Sequence, residues 1–135
     1  MDSALKNKIR MKLEILLSLL VLAVESFTVT TTKMTWEEAN LWCWERGLEG
    51  LAGPNTANIN FISNVCPEEI CHVGAHRTYS GSNIFAATFH DIGEFPWATG
   101  QPSNLADQNC TYVSKSTNKM STDVCNVTKY GICFQ

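Results

Sequence analysis

Apolar and polar residues alternate from Phe27 to Thr32, in a stretch rich in β-branched side chains. This period of two predicts that a strand opens the folded domain. The period then changes to that of a helix, whose buried face is formed by Trp36, Ala39 and Cys43. A capping box of Thr35 and Glu38 begins the helix, and Gly47 can end it.

A second helix is predicted between the turn 53–55 and Pro67, with Asn55 as its N-cap. Its apolar face consists of Ile59, Ile62 and Cys66. The apolar run 71–75 then predicts a buried strand. No clear period follows between Arg77 and Gln108. Three short strands are predicted near the end of the chain, at 111–113, 120–125 and 130–134.

The first residues of the chain have the pattern of a secretory signal peptide. Four basic residues precede an apolar run at 15–24, which is followed by the small polar Ser26. The run is about half of the roughly 20 residues that span a bilayer, so a retained membrane anchor is the less favoured alternative. We therefore expect a leader at 1–26 and one secreted, extracellular domain at 27–135. Met11 is an alternative start.

Composition narrows the classes of partner. Residues 27–135 carry six basic and ten acidic side chains, a net charge of −4, and no basic stripe. This balance argues against nucleic acid or an anionic membrane as the partner. The six cysteines after a leader predict disulfides, with 15 pairings open, and no CxxC spacing favours zinc. Cys66 and Cys71 are close enough in sequence for a local bridge.

The stretch from Trp97 to Cys110 is rich in turn-forming residues, among them Gly100, Pro102 and Asn104. Trp97 can anchor the base of this loop in the core. Oxygen-bearing side chains that could converge on a hard cation or a sugar are those of Gln101, Ser103, Asn104, Asp107, Gln108 and Asn109. The alternative is an ordinary surface loop held by one disulfide.

Three ordered motifs together resemble the C-type lectin-like domain. They are the helix from Met34 to Cys43, the strand Val73-Gly74-Ala75, and the loop Trp97-Ala-Thr-Gly-Gln-Pro-Ser-Asn104. The resemblance implies an α+β fold with two helices, antiparallel strands and a long loop region, in the short form without an N-terminal hairpin. It also implies a cis peptide before Pro102 and the bridges Cys43–Cys133 and Cys110–Cys125, which leave Cys66–Cys71 as a local extra.

In the family's lectins, the loop and two downstream acidic motifs hold calcium, and the sugar hydroxyls complete the metal shell. Here Gln101 and Pro102 match the galactose-type loop, but Ser103 replaces its acid. Gln108-Asn109 stand for the Glu-Asp pair, and Met120-Ser121-Thr122 stand for Trp-Asn-Asp, with Asp123 one place late. Because ligand charge largely sets calcium affinity, no cofactor is required by this sequence and only weak calcium binding is expected, at Gln101, Gln108 and Asp123.

Two sequons for N-glycosylation are present, at Asn109 and Asn126. Asn126 lies in a predicted turn before the last strand and is the favoured acceptor. A glycan on Asn109 would obstruct the surface of the degenerate sugar and calcium loop.

The resulting functional prediction is a secreted recognition module that binds an extracellular protein, or a glycan without strong calcium dependence, through the long-loop face. An exposed patch of Phe85, Phe89 and Phe95 would favour a protein partner. The alternative is a calcium-dependent carbohydrate-binding lectin of the Gln-Pro, galactose-like type.

An enzyme is disfavoured because the sequence offers no set of nucleophile, base and orienting group. The three histidines are His72, His76 and His90. His72 and His76, four apart in one predicted strand, would share a face. His72 stands where the resembled family has a core tryptophan, which predicts a packed structural histidine.

Overall fold

A computed structural model describes residues 3–10, 26–77, 85–87 and 94–135. Residues 3–10 are helical. Most of the predicted leader, namely residues 1, 2 and 11–25, lies outside the described residues. In the described part of the chain, no helix combines the length and hydropathy needed to cross a membrane.

Helix α1 spans Trp36–Glu45 and has the predicted capping box. The Glu38 amide donates to the Thr35 hydroxyl, and the Thr35 amide donates back to the Glu38 carboxylate at 3.0 Å. This hydrogen bonding also lowers the pKa of Glu38. Gly47 ends the helix at a φ of 75°, and the amides of Gly47 and Leu48 donate to the last free carbonyls. Glycine adopts this left-handed conformation without strain, so the predicted end of the helix at Gly47 is confirmed.

Helix α2 spans Ile59–Asn64 and is shorter than the sequence predicts. The prediction that Asn55 is its N-cap is wrong. The Asn55 side chain instead accepts from the amides of Ala57 and Asn58, both at 2.8 Å, and so closes a turn in front of the helix. An asparagine side chain can accept a hydrogen bond from a nearby backbone amide both in a turn and at a helix N-cap. The sequence alone therefore does not distinguish the two.

Seven strands are present in the described part of the chain: β1 (Phe27–Val29), β2 (Ile70–Val73), β3 (Ala75–Arg77), β4 (Phe85–Ala87), β5 (Cys110–Ser114), β6 (Lys119–Asp123) and β7 (Ile132–Phe134). They form the antiparallel pairs β1-β7 and β3-β4 and the three-stranded sheet β2-β5-β6. The predicted α+β class is therefore confirmed. The single strand expected at 71–75 is in fact two, separated at Gly74, and β1 ends before the predicted Thr32.

Two apolar clusters form the core. The larger joins α2 to the three-stranded sheet, and its fully buried members include Ile62, Val73, Val113, Met120 and Ile132. The smaller joins α1 to the last strand through Ala39, Cys43, Leu51 and Cys133. The backbone at Gly131 lies so close to this cluster that an added Cβ would be 2.8 Å from side-chain atoms of both Ala39 and Leu51.

Three disulfides tie these layers together. They are Cys43–Cys133, Cys66–Cys71 and Cys110–Cys125, the three pairs named from the sequence. The first joins α1 to β7 across 90 residues of chain. The third closes the far end of the β5-β6 hairpin, directly after the long loop.

Candidate functional site

The base of the long loop is anchored by Trp97. Its backbone pairs with Met120 of β6, and its ring packs edge-on against Phe85 and Phe95, with centroids 5.2 and 5.7 Å away. The peptide bond before Pro102 is cis, as the resemblance implies. The loop thus starts from a fixed point on the sheet.

Beyond this anchor, the Thr122 hydroxyl gathers three loop residues. It lies 2.8 Å from Gln101 Oε1 and 3.0 Å from Gln108 Oε1, and its single proton serves one of these acceptors. The Ser103 amide donates to the hydroxyl oxygen at 3.2 Å, and the Thr122 amide donates to Gln101 Oε1 at 3.1 Å. Gln101, Ser103, Gln108 and Thr122 are called the threonine cluster below.

Asp123 takes no part in the threonine cluster through any of its described bonds. Its carboxylate accepts from Lys129 Nζ at 2.7 Å and from the Val124 amide at 2.8 Å. Successive side chains of a strand point to opposite faces, so Thr122 and Asp123 of β6 turn in opposite directions. The weak calcium site expected at Gln101, Gln108 and Asp123 would need this carboxylate to turn towards the two amides, and in the structure it bonds Lys129 and the Val124 amide instead.

A buried guanidinium lies beneath the loop. Arg77, at the end of β3, is 7% exposed and donates through Nη2 to the carbonyls of Ser103 and Leu105. Its guanidinium carbon also lies 4.8 Å from the centroid of the Phe85 ring. Because Ser103 bonds both Arg77 and Thr122, the guanidinium and the threonine cluster form one connected unit.

The remaining predicted site residues are placed apart from this unit. Asn104 and Asp107 are exposed on the loop. The Asn109 carbonyl accepts from the Arg77 amide at 3.0 Å, whereas its side-chain oxygen is buried without a hydrogen-bond partner. Of the seven predicted residues, the structure brings Gln101, Ser103 and Gln108 together.

This donor set does not match what calcium needs. A hard cation takes six to eight oxygens, several of them charged. Within residues 3–10, 26–77, 85–87 and 94–135, no three or more His, Cys, Asp or Glu side chains are grouped to hold a metal. The side-chain oxygens of Gln101 and Gln108 already accept hydrogen bonds from Thr122. The positively charged Arg77 is bonded to Ser103, another member of the cluster.

His72 and His76, the two histidines that the structure describes, are not arranged as a catalytic group. His72 is 1% exposed and donates from Nε2 to the Met34 carbonyl at 2.8 Å. Burial lowers the pKa of His72 to about 4, so its ring is neutral at physiological pH. His76 belongs to the separate strand β3 and packs against Trp36, which corrects the expectation that the two share one strand face. His90 lies outside the described residues.

An exposed patch of Phe85, Phe89 and Phe95 would favour a protein partner, and the two of these residues that the structure describes are not exposed. Phe85 and Phe95 are half-buried against Trp97 because their rings complete the anchor of the loop, and Phe89 lies outside the described residues. The apolar side chain that the loop does present is Leu105, which is 59% exposed. It follows the exposed Asn104 and lies two residues before the exposed Asp107.

Three residues that organise the site were not among its predicted members. Thr122 carries a sequence signal, since it stands three places before Cys125 where the resembled family has an acid. Arg77 and Lys129 carry no such signal. The role of Arg77 depends on a contact with Ser103, 26 residues away in sequence, and that of Lys129 on the turn that returns it to Asp123, six residues earlier.

Comparison with known proteins supports the fold. No family model matches the chain. It is 25% identical over 117 residues to E-selectin of Equus caballus, covering 81% of this chain but only 19% of that protein. The chain thus spans about a fifth of the length of this relative.

Solved structures give the same fold. A calcium-independent type II antifreeze protein matches with a TM-score of 0.73 and 18% identity, over 82% of this chain and 85% of that one. The calcium-free form of a Ca²⁺-dependent type II antifreeze protein matches at 0.72 and 14%, over 84% and 93%. The carbohydrate-recognition domain of the mouse scavenger receptor C-type lectin matches at 0.70 and 17%, over 82% and 87%. At these identities the likeness establishes the fold alone.

Proposed function

Starting from its C-type lectin-like fold, we propose that this chain is a secreted recognition module. It binds an extracellular ligand, a protein or a glycan, through the long-loop face and without strong calcium dependence. The observation that carries the proposal is the threonine cluster, in which side-chain and backbone hydrogen bonds occupy the oxygens of Gln101 and Gln108.

The protein's own groups supply the order that a bound cation would otherwise give to such a loop. Arg77 binds two loop carbonyls from below, and Thr122 binds three loop residues from the side. A loop whose shape is fixed before the ligand arrives loses less conformational freedom on binding. Asn104, Leu105 and Asp107 are exposed on it, and they offer an amide, an apolar side chain and a carboxylate to a partner.

Binding rather than catalysis is proposed because no constellation of reactive groups is assembled in the described residues. Of the two hydroxyls in the threonine cluster, that of Thr122 contacts amide groups and that of Ser103 accepts from the Leu105 amide, so neither bonds a base in the described residues. His72, the more buried of the two described histidines, bonds a backbone carbonyl. A nucleophile needs a neighbouring base to become reactive.

The test is a calorimetric calcium titration of the oxidised 27–135 domain, together with a glycan array read in calcium and in EDTA. We expect no saturable heat below about 1 mM calcium, the weak end of extracellular modules, and the same array pattern in both buffers. A saturable calcium isotherm together with EDTA-sensitive sugar binding would instead establish the Gln-Pro, galactose-like lectin. A thermal-hysteresis measurement on the same sample tests ice as a ligand, since antifreeze proteins share the fold.

The loop face is tested by a matched pair of leucines. Leu105 on the loop and Leu41 on α1 are 59% and 56% exposed, so truncating either one removes a similar apolar surface. Ligand binding should fall with Leu105→Ala and persist with Leu41→Ala. The reverse result would move the binding face to α1 and contradict the proposal.

Secretion and glycosylation belong to the same proposal. We propose cleavage of a leader at 1–26 and a glycan on Asn126, whose sequon 126–128 is exposed in a turn. The Asn109 sequon is a poor acceptor, because Thr111 is 1% exposed and its hydroxyl donates to the Ala75 carbonyl. Mass spectrometry of the secreted protein before and after glycosidase treatment should assign one site, lost in Asn126→Gln and kept in Asn109→Gln.

A further inference from the structure

A cavity of about 260 Å³ opens beside the Cys110–Cys125 disulfide. None of the residues that line it belongs to the threonine cluster. We infer that it is a calcium-independent subsite for one neutral sugar ring. This inference rests on the proposed function and names one ligand class for it. The residues that line the cavity, besides the two cysteines, are Trp36, Glu37, His76, Arg77 and Asn109.

The walls of the cavity are held in place by the surrounding structure. The Trp36 indole donates from Nε1 to the Val73 carbonyl at 2.7 Å, and its backbone amide donates to the Cys125 carbonyl at 3.1 Å. The His76 ring packs on the indole, with centroids 5.2 Å apart. The Cys110–Cys125 disulfide also lines the cavity, and most of the lining is apolar. An indole among the lining residues suits a ring-shaped ligand with an apolar face.

Two polar atoms of the lining residues have no hydrogen-bond partner. His76 Nδ1 and Asn109 Oδ1 are both buried and unpaired, although buried polar atoms in folded proteins are nearly always bonded. Both atoms belong to residues that line the cavity, and the proposal requires the side chain to rotate until the atom reaches the cavity surface. A ligand that donates hydrogen bonds would therefore supply partners that the protein does not.

Size and charge restrict the ligand further. The volume is below the roughly 300–1,000 Å³ of pockets for drug-sized molecules, so it suits a single ring. The lining contains one acidic residue, Glu37, and one basic residue, Arg77, so its formal charges sum to zero, which favours a neutral ligand. Carboxamide and imidazole acceptors favour a ligand rich in hydroxyl donors. A pyranose combines an apolar ring face with such hydroxyls.

The experiment uses methyl α-mannoside and methyl β-galactoside as probes, added in EDTA to the oxidised domain labelled with ¹⁵N. We expect a saturable shift of the Trp36 indole resonance by at least one glycoside. Asn109→Ala should weaken that binding about tenfold. His76→Phe should do the same, since it keeps a ring against Trp36 but removes Nδ1. The spectra also show whether each variant is folded.

Matched controls lie elsewhere on the surface. Asn60→Ala removes an exposed carboxamide from α2, and Trp44→Phe changes an indole that is 57% exposed. Both should bind the glycosides like the wild type. An aromatic probe, phenol, should shift the Trp36 resonance less than the glycosides do. Stronger binding of phenol would overturn the assignment to sugars.

The outcomes separate this inference from the proposed function. If the glycosides shift Asn104 and Leu105 while Asn109→Ala binds normally, the subsite is wrong and the loop face stands. If no glycoside binds, the subsite is wrong, and the Leu105→Ala and Leu41→Ala pair still decides whether the loop face binds a protein.

Discussion

Lys129 Nζ lies 2.7 Å from Asp123 Oδ2, with the lysine side chain 2% exposed and the aspartate 30% exposed. The ammonium group also lies 5.1 Å from the centroid of the Tyr112 ring. A charge so deeply buried needs its partner, so the Asp123 carboxylate is committed to the stability of the hairpin. This pairing explains why Asp123, which directly follows Thr122, is not a member of the threonine cluster.

Neutralising Asp123 should therefore destabilise the domain whether or not calcium is present. Asp123→Asn leaves the Lys129 charge buried without a counter-ion, and we expect a loss of about 2 to 3 kcal/mol in the free energy of unfolding, measured by urea denaturation. The double variant Asp123→Asn/Lys129→Met should recover much of it. A calcium-dependent difference between wild type and Asp123→Asn would contradict this assignment.

Arg77 should determine the order of the long loop. Arg77→Lys keeps a positive charge but loses the planar group that reaches two carbonyls and packs on Phe85, so we expect a loss of about 1 to 3 kcal/mol. Hydrogen exchange should quicken first at the amides of Ser103 and Leu105. Arg46→Lys is the control, since Arg46 is exposed and stacks on Trp42 at 3.7 Å. Equal effects of the two variants would refute this role.

His72 should make the domain less stable in mild acid. Burial lowers its pKa to about 4, whereas the unfolded chain protonates it near 6.5. Between these values the unfolded state binds more protons, so the stabilisation is complete above pH 6.5 and is lost as the pH falls towards 4. From pH 7.5 to 5.0 the loss is about 2 kcal/mol.

The measurement is the free energy of unfolding at several pH values, compared between wild type and His72→Gln. Glutamine cannot titrate, and its amide can still donate to the Met34 carbonyl. The variant should show about 2 kcal/mol less pH dependence over this window. Parallel curves for the two proteins would mean that His72 is not the titrating group.

Local rules predicted the elements of the fold well. The capping box at Thr35 and Glu38 and the stop at Gly47 depend on residues within one helical turn, and both are confirmed. Errors arose where two local structures use the same residue. Asn55 closes a turn and is not the N-cap of the helix. Gly74 separates two strands, although the apolar residues on both sides of it predict one continuous strand.

The site was predicted only in part, because its bonds join distant segments. Gln101, Ser103 and Gln108 were identified from one polar loop, and they do meet. Sequence could not show that Thr122 would be their common partner, or that Arg77 would reach the loop from β3. Both depend on the register of β6 and on the end of β3, which tertiary packing sets.

The three disulfides should differ in what they contribute, because they close loops of very different length. In the chain-entropy model, removing Cys43–Cys133, which spans 90 residues, costs about 4 to 5 kcal/mol, whereas removing Cys66–Cys71, which spans five, costs about 2 kcal/mol. Paired alanine variants measured by thermal unfolding should show this order. The short segment is also held by β2 and by the bond from Lys115 Nζ to the Cys66 carbonyl at 2.9 Å, so Cys66→Ala/Cys71→Ala should keep its fold. If that variant unfolds while Cys43→Ala/Cys133→Ala stays native, loop length does not set the contribution of these bridges.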